Sequence, residues 1–160
     1  MAIKQLPQPV IDFLENQGYV IVATLDHNGI PHASCKGIVE IKPDGHVYLL
    51  DLYSDRTLDN LKRNPRISIT AVDEHRFMGF CLKGRAKAVN VDKLSPRVGL
   101  AWEEKINTRI TRRILKNMRE EKGHPHYPEA LLPKPEYMLV MKVTEIVDLS
   151  PSHIAQKKRR

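Results

Sequence analysis

The 160-residue chain has only two cysteines, Cys35 and Cys81, and no long hydrophobic run. Two thiols cannot build the disulfide framework of a small secreted domain, so we expect both to be reduced and packed within strands. The longest apolar runs, residues 19–25 and 137–143, are far shorter than the roughly 20 residues that a membrane-spanning helix requires. The first residues also lack the apolar stretch of a secretory signal. We therefore expect a cytoplasmic protein that does not cross a membrane.

Internal repeats and linker-like segments are also absent from the sequence. Hydrophobic residues make up 41% of the chain and charged residues 28%, which excludes the apolar-poor composition of a disordered protein. A chain of this length suits one hydrophobic core, so we expect a single domain over residues 1–150. Residues 151–160 end in consecutive cations and are expected to form a disordered basic tail.

Acidic residues are in deficit, because 19 Asp and Glu oppose 26 Lys and Arg and leave a net charge of +7. Such a charge suits nucleic acid, acidic lipid or a phosphorylated small molecule, and its sign alone does not choose among them. The cations are most crowded at Arg109, Arg112, Arg113, Lys116 and Arg119. Because no recognised nucleic-acid-binding motif accompanies them, we interpret this segment as the polar side of an amphipathic helix and do not expect a nucleic-acid partner.

Strand patterns dominate the first half of the chain. Residues 19–26 and 30–41 are rich in β-branched residues and flank Asn28-Gly29, a pair whose positive φ angles suit a tight hairpin. A second turn at residues 42–45 leads into a strand at 46–52. The sequence therefore predicts three consecutive antiparallel strands, preceded by a helix that begins at Pro9.

The second half continues with strand and helix patterns. Residues 66–72, 76–91 and 136–149 read as strands, and Gly79 and Gly84 indicate bulges or close backbone approaches. Residues 57–64 predict a short helix, and a longer one starts at Ser95-Pro96. Its apolar residues recur every four positions, at Trp102, Ile106, Ile110, Ile114 and Met118. Together, these strands and helices predict a mainly β protein with a six-stranded antiparallel barrel and peripheral helices.

The corner where the third strand passes into the short helix has the chemistry of an anion site. Arg56 and Thr57 fall in the first helical turn, where backbone N–H groups and the helix dipole favour a phosphate that the Arg fork can also bind. The alternative is that Arg56 pairs on the surface with Asp55 or Asp59.

Four segments, in their order and spacing, resemble the pyridoxamine 5′-phosphate oxidase-like FMN-binding split barrels. They read GIPHASCK at 29–36, VYLL at 47–50, DRTLDNLKRNPRI at 55–67 and LKGRA at 82–86. The resemblance extends over about residues 10–90, with a family-like last strand near 137–149. It implies a six-stranded split β-barrel, a homodimer and an FMN cofactor held between the subunits.

The resemblance also implies which residues meet the cofactor. Arg56 and Thr57 are expected at the phosphate, with Asn60 nearby. The residues expected around the isoalloxazine ring are Ser34, Cys35, Lys36, Leu50 and Asp51. Because side chains alternate along a strand, Ser34, Cys35 and Lys36 cannot all point the same way. Lys36 is the firmest of the three, and we hypothesise that its charge stabilises a reduced, anionic flavin.

Two departures from the family limit the functional prediction. Thr57 stands where many relatives carry a second cation, and residues 143–154 show no Arg- and Trp-containing substrate motif, so oxidation of vitamin B6 is not supported. The prediction is an FMN-dependent oxidoreductase with an unknown substrate, a small-molecule electron donor and unassigned catalytic residues, since the flavin itself carries the redox chemistry. The alternatives are a deazaflavin-dependent reductase and a non-enzymatic flavin- or nucleic-acid-binding module.

A metal site is not expected. His124 and His126 form an incomplete ligand set, because Glu129 is the only carboxylate close after them. We interpret their segment as a loop that crosses the cofactor cleft or the edge of the dimer.

Overall fold

The structure, a computed structural model, describes residues 3, 5–51, 56–119 and 135–152, and the following statements concern these residues. Six antiparallel strands form a closed barrel in the order β1-β2-β3-β6-β5-β4. The strands are β1 (Val20–Leu25), β2 (Pro31–Ile41), β3 (His46–Leu50), β4 (Arg66–Asp73), β5 (Met78–Asn90) and β6 (Tyr137–Asp148). The helices are α1 (Gln8–Glu15), α2 (Arg56–Arg63) and α3 (Pro96–Met118), and a 3₁₀ turn occupies Val91–Lys93. The predicted mainly β barrel with peripheral helices is confirmed.

Side-chain alternation builds the barrel interior. On β1, Val20, Val22 and Thr24 are buried while Ile21 between them is 45% exposed. Strand β4 and most of β5 show the same period-two pattern. On β2, β3 and β6 the outward-facing Val39, Tyr48 and Met138 are buried as well, because they pack with Val98 of α3. The interior is filled by Ile38, Val47, Leu49, Ile67, Ile69, Leu82, Leu139, Met141 and Val143.

The β1–β2 hairpin differs in detail from the predicted tight Asn-Gly turn. Only Gly29 has a positive φ, at 78°, and Asn28 does not. The carboxylate of Asp26 accepts hydrogen bonds from the backbone N–H groups of Asn28 and Ile30, at 2.8 and 2.9 Å. These bonds hold a longer loop, in which one left-handed glycine is sufficient.

Gly84 marks the predicted irregularity in β5. The β5–β6 register shifts between Lys83 and Gly84, and a Cβ atom at Gly84 would lie 2.1 Å from the carbonyl oxygen of Lys142. Only glycine allows the two backbones to approach so closely. At Gly79 the register is continuous, but a Cβ would lie 3.1 Å from the Ala71 carbonyl oxygen.

Helix α1 closes one side of the core. Its residues Val10, Ile11, Phe13 and Leu14 are buried, and the Phe13 ring packs edge-on against Phe80 at 5.3 Å between centroids. The predicted lead-in helix is thus confirmed, although it ends at Glu15 before Gly18.

Helix α3 lies on the outside of the barrel and buries little of its apolar stripe. Val98 is its one buried residue, and it packs with Val39, Tyr48 and Met138. Farther along, Ile114 is 39% and Met118 is 76% exposed. The predicted helix is therefore correct, and its stripe is half-buried at Trp102, Ile106 and Ile110 but exposed toward its C-terminal end.

Both cysteines are free thiols, and the expectation that both are packed is wrong for Cys35. Cys81 is half-buried, whereas Cys35 is exposed on the outward face of β2, opposite Ile21 on β1. Strand alternation explains this position, because the neighbours Ser34 and Lys36 take the inward one.

Three sequence-based expectations fall wholly or mainly outside the described residues. These are the interpretation of His124 and His126, the loop that holds them and the basic tail. No helix in the described ranges combines the length and hydrophobicity needed to span a lipid bilayer.

Candidate functional site

Helix α2 covers one end of the barrel and presents a polar face to it. Thr57 and Asn60 are buried on this face. The amide of Asn60 donates to the Thr24 hydroxyl on β1 at 3.0 Å and accepts from the Arg63 guanidinium at 2.6 Å. The helix is thereby attached to the sheet through hydrogen bonds as well as through its leucines.

A second link joins the first turn of α2 to strand β2. The hydroxyl oxygens of Ser34 and Thr57 lie 3.1 Å apart, and Thr57 is fully buried. A threonine methyl group and hydroxyl suit such a position, because one packs while the other bonds. Thr57 therefore sets the distance between the start of α2 and β2.

A buried ion pair lies beside these links. Lys36 Nζ donates to Asp51 Oδ1 at 2.8 Å, and the two side chains are 6% and 2% exposed. The Tyr137 hydroxyl donates to Asp51 Oδ2 at 3.1 Å. Because the two charges compensate each other, Lys36 contributes no net positive charge to this end of the barrel. We name Ser34, Lys36, Asp51, Thr57 and Asn60 the barrel-end cluster.

The other predicted residues on these strands lie elsewhere. Cys35 is exposed on the outward face of β2, and Leu50 packs outward with the residues beneath α3. The ring-lining set proposed from the sequence thus divides into an inward group and an outward group. One planar ligand cannot contact the side chains of both through the sheet.

Arg56 stands at the exposed start of α2. Its side chain is solvent-exposed, and Asp59, one of its two possible surface partners, instead lies 3.7 Å from Lys62. The other, Asp55, is outside the described residues. Arg56 is therefore accessible at a helix terminus that favours anions.

Two cations of α3 reach the outward side of β2. Lys105 Nζ donates to the Ile38 carbonyl oxygen at 2.6 Å, and burial lowers the pKa of Lys105. Arg109 donates to the Gly18 carbonyl and lies 5.0 Å from the centre of the Tyr19 ring. Its Nη2 atom would lie 3.5 Å from a Cβ placed on Gly37. Positive charge therefore borders the surface that holds Leu50 and Cys35.

Sequence reasoning missed three members of this region: Thr24, Arg63 and Tyr137. The sequence could have identified Thr24, because strand alternation places Val20, Val22 and Thr24 on one face of β1. The partnership of Tyr137 with Asp51 was not, since the two residues are 86 positions apart. In the described residues, no three His, Cys, Asp or Glu side chains are grouped as metal ligands.

Comparison with known proteins identifies the family. The family model described as pyridoxamine 5′-phosphate oxidase matches residues 6–126. A comparison with curated proteins found no match.

Solved structures share the fold at low sequence identity. HupZ of Group A Streptococcus is 18% identical with a TM-score of 0.61, over 91% of this chain and 95% of that one. HutZ, the heme storage protein of Vibrio cholerae, is 19% identical with a TM-score of 0.58, over 89% and 94%. A protein named F420 reductase is 15% identical with a TM-score of 0.56, over 89% and 98%.

Proposed function

The chain belongs to the pyridoxamine 5′-phosphate oxidase family, and from this premise we propose that it is an FMN-binding oxidoreductase whose cofactor phosphate binds at the start of α2. The observation that carries the proposal is the exposed Arg56 next to the buried Thr57, whose hydroxyl lies 3.1 Å from that of Ser34 on β2. An Arg fork and a helix N-terminus fixed to a strand are well suited to a phosphate.

The residues present fit a flavin phosphate with one qualification. Arg56 offers a full charge and up to two parallel hydrogen bonds, whereas Lys36 is paired with Asp51. Thr57 supplies a hydroxyl where a second cation would bind more strongly. We therefore propose moderate affinity for the phosphate, with Arg56 as its principal contact.

We propose that the ring lies on the outward side of β2 and β3, near Cys35 and Leu50. Support comes from the surface itself, because Ile21 and Tyr19 are 45% and 63% exposed there and Arg109 borders it. The barrel-end cluster then positions α2 and Arg56 and does not contact the ring. Bound FMN supplies hydride and single-electron transfer, and the chain orients the ring and excludes water from it.

We further propose that the cofactor lies between two copies of the chain in a cytoplasmic homodimer. The exposed apolar side chains of β1, β4 and α3 support this proposal, since isolated soluble monomers seldom leave such patches uncovered. They include Ile21, Val72, Leu100, Leu115 and Met118. A long amphipathic helix with one buried residue also gains most of its stability from packing against something else.

A deazaflavin is the second candidate, because the F420 reductase shares the fold. Arg56 would serve any phosphate-bearing flavin equally well, so geometry at α2 does not separate the two cofactors. Redox partner and substrate would then differ, while the binding residues proposed above would stay the same.

The absorption spectrum of the purified protein tests the proposal and separates its competitors. FMN, F420 and heme each give a distinct visible spectrum, and the released chromophore can be identified by mass. We expect flavin bands in the native protein, their loss in Arg56→Ala and their retention in the control Arg76→Ala, which removes an exposed arginine from the β4–β5 turn. A heme or deazaflavin spectrum, or failure to take up added FMN, would overturn the FMN assignment.

A further inference from the structure

A groove of about 610 Å³ lies on the outside of the barrel, across β1, β4 and β5. Its apolar lining includes Ala23, Leu25 and Pro31. Three cations, Arg66, Lys83 and Arg85, stand along the same groove, and all three are exposed. We name this feature the basic groove.

The cations of the groove are arranged in register. Arg66 on β4 is directly opposite Arg85 on β5, and Arg85 is in turn opposite Lys142 on β6. Like charges directly opposite on neighbouring strands destabilise a sheet, since their Cβ atoms are only about 5 Å apart. The arrangement opposes folding unless an anion compensates it.

The chain supplies only part of that compensation. Lys83 pairs with Glu145 at 3.0 Å, and Lys142 donates to the Asp44 carbonyl. Within the described residues, neither Arg66 nor Arg85 forms an ion pair with a carboxylate. Two guanidinium groups are left, side by side, at the edge of an apolar groove.

We propose that the basic groove binds a phosphate monoester with an apolar body. A phosphate monoester carries roughly two negative charges at neutral pH, which matches the two uncompensated arginines. The planar forks of Arg66 and Arg85 can each donate two parallel hydrogen bonds to phosphate oxygens. The volume exceeds what a phosphate fills, so the remainder of the ligand lies on Ala23, Leu25 and Pro31.

The groove is separate from the cofactor phosphate position. Arg56 is the first residue of α2, Arg66 begins β4 beyond the other end of that helix, and an eight-residue helix is about 12 Å long. The two arginines therefore serve different ends of the helix. The groove can hold a substrate or effector while a cofactor phosphate occupies the start of α2.

Calorimetric titration with 1-naphthyl phosphate tests the inference on FMN-loaded protein from which unbound FMN has been removed, because FMN is itself a phosphate monoester and an excess of it would compete for the groove. If the protein does not take up FMN, the titration is made on the protein as purified, so failure of the cofactor proposal leaves this test intact. We expect saturable binding whose affinity falls about tenfold in Arg85→Gln and further in Arg66→Gln/Arg85→Gln. Each lost charge-assisted hydrogen bond should lower the affinity by about a factor of ten. Arg76→Gln, which removes the same charge outside the groove, should bind as the native protein does.

Three further measurements keep the test decisive. Glu145→Gln should tighten binding, because it frees Lys83 for the ligand. Inorganic phosphate should bind more weakly than 1-naphthyl phosphate, since it leaves the apolar lining uncovered. Without ligand, Arg85→Gln should melt no earlier than the native protein, and at equal ligand concentration it should show a smaller ligand-induced rise in melting temperature.

Several outcomes would overturn the proposal. Equal affinity of Arg85→Gln and Arg76→Gln would show that the groove is not the binding surface. Equal affinity for inorganic and naphthyl phosphate would remove the role of the apolar lining. Tighter, strongly salt-dependent binding of a single-stranded oligonucleotide through Arg66 and Arg85 would identify a polymer as the ligand.

Discussion

Two lysine–carboxylate pairs of nearly equal length occupy opposite environments in this barrel. Lys36 and Asp51 lie 2.8 Å apart with side chains 6% and 2% exposed, whereas Lys83 and Glu145 lie 3.0 Å apart at 49% and 55%. The first belongs to the barrel-end cluster and the second to the basic groove. Nearly equal distances therefore accompany very different energetic consequences, because burial removes the water that would otherwise solvate each charge.

The comparison also indicates where ligand charge can be met. In the barrel-end cluster each polar group already has a partner within the fold, through Thr24, Tyr137 and Arg63. Outside, Arg66 and Arg85 are directly opposite each other on β4 and β5 and have no acidic partner among the residues that the structure describes. Buried polar groups thus hold the scaffold together, and exposed cations are the ones available to an anion.

Breaking the buried pair should have the largest effect. Asp51→Ala leaves Lys36 buried without its counter-charge and Tyr137 without its acceptor, which should lower the free energy of unfolding by about 3–5 kcal/mol. Urea unfolding of the native and variant proteins measures the change. The double variant Lys36→Met/Asp51→Leu should recover most of the lost unfolding free energy. A loss in Asp51→Ala smaller than that caused by breaking the exposed Lys83–Glu145 pair would contradict this expectation.

Removing the link between α2 and β1 should have the next largest effect. Asn60→Ala leaves the buried Thr24 hydroxyl without its donor and releases Arg63, at a cost of about 1–3 kcal/mol in unfolding free energy. The same urea experiment applies, with exposed Asn107→Ala as the control. An unchanged urea midpoint in Asn60→Ala would mean that the packing of its leucines alone holds α2 on the barrel.

The exposed pair supplies the low end of the comparison. Glu145→Ala should change the unfolding free energy by less than about 1 kcal/mol, because water screens both charges. Measuring it beside Asp51→Ala under identical salt gives the comparison directly. Similar losses in the two variants would show that burial is not what distinguishes the pairs.

Lys105 is intermediate between the two pairs, because it is a partly buried cation whose ammonium group donates a hydrogen bond to the Ile38 carbonyl oxygen. Burial lowers its pKa below 10.5 in the folded state, although Glu15 acts in the opposite direction. The unfolded chain then binds more protons than the folded one between the lowered pKa and 10.5, so stability should rise with pH in that window. In the native protein this rise in stability should be small. It should be absent in Lys105→Met and retained in the control Lys116→Met, which changes an exposed lysine. Midpoints of urea unfolding measured across that pH range test both expectations.

Local patterns carried most of the fold and only part of the site. Alternation fixed which residues of β1 and β2 share a face, and it already indicated that Ser34, Cys35 and Lys36 could not act together. It could not show that Cys35 faces solvent, nor that Asp51 neutralises Lys36, because both depend on closure of the barrel. The opposition of Arg66 and Arg85 likewise follows from strand register, which single-sequence patterns do not determine.

The central claim is that Arg56 binds a flavin phosphate at the start of α2. Fluorescence titration with FMN and with riboflavin, which lacks the phosphate, tests it directly. We expect the native protein and Arg76→Gln to favour FMN over riboflavin by about tenfold or more, and Arg56→Gln to lose most of this preference. An equal preference in Arg56→Gln, or no preference for FMN in the native protein, would contradict it.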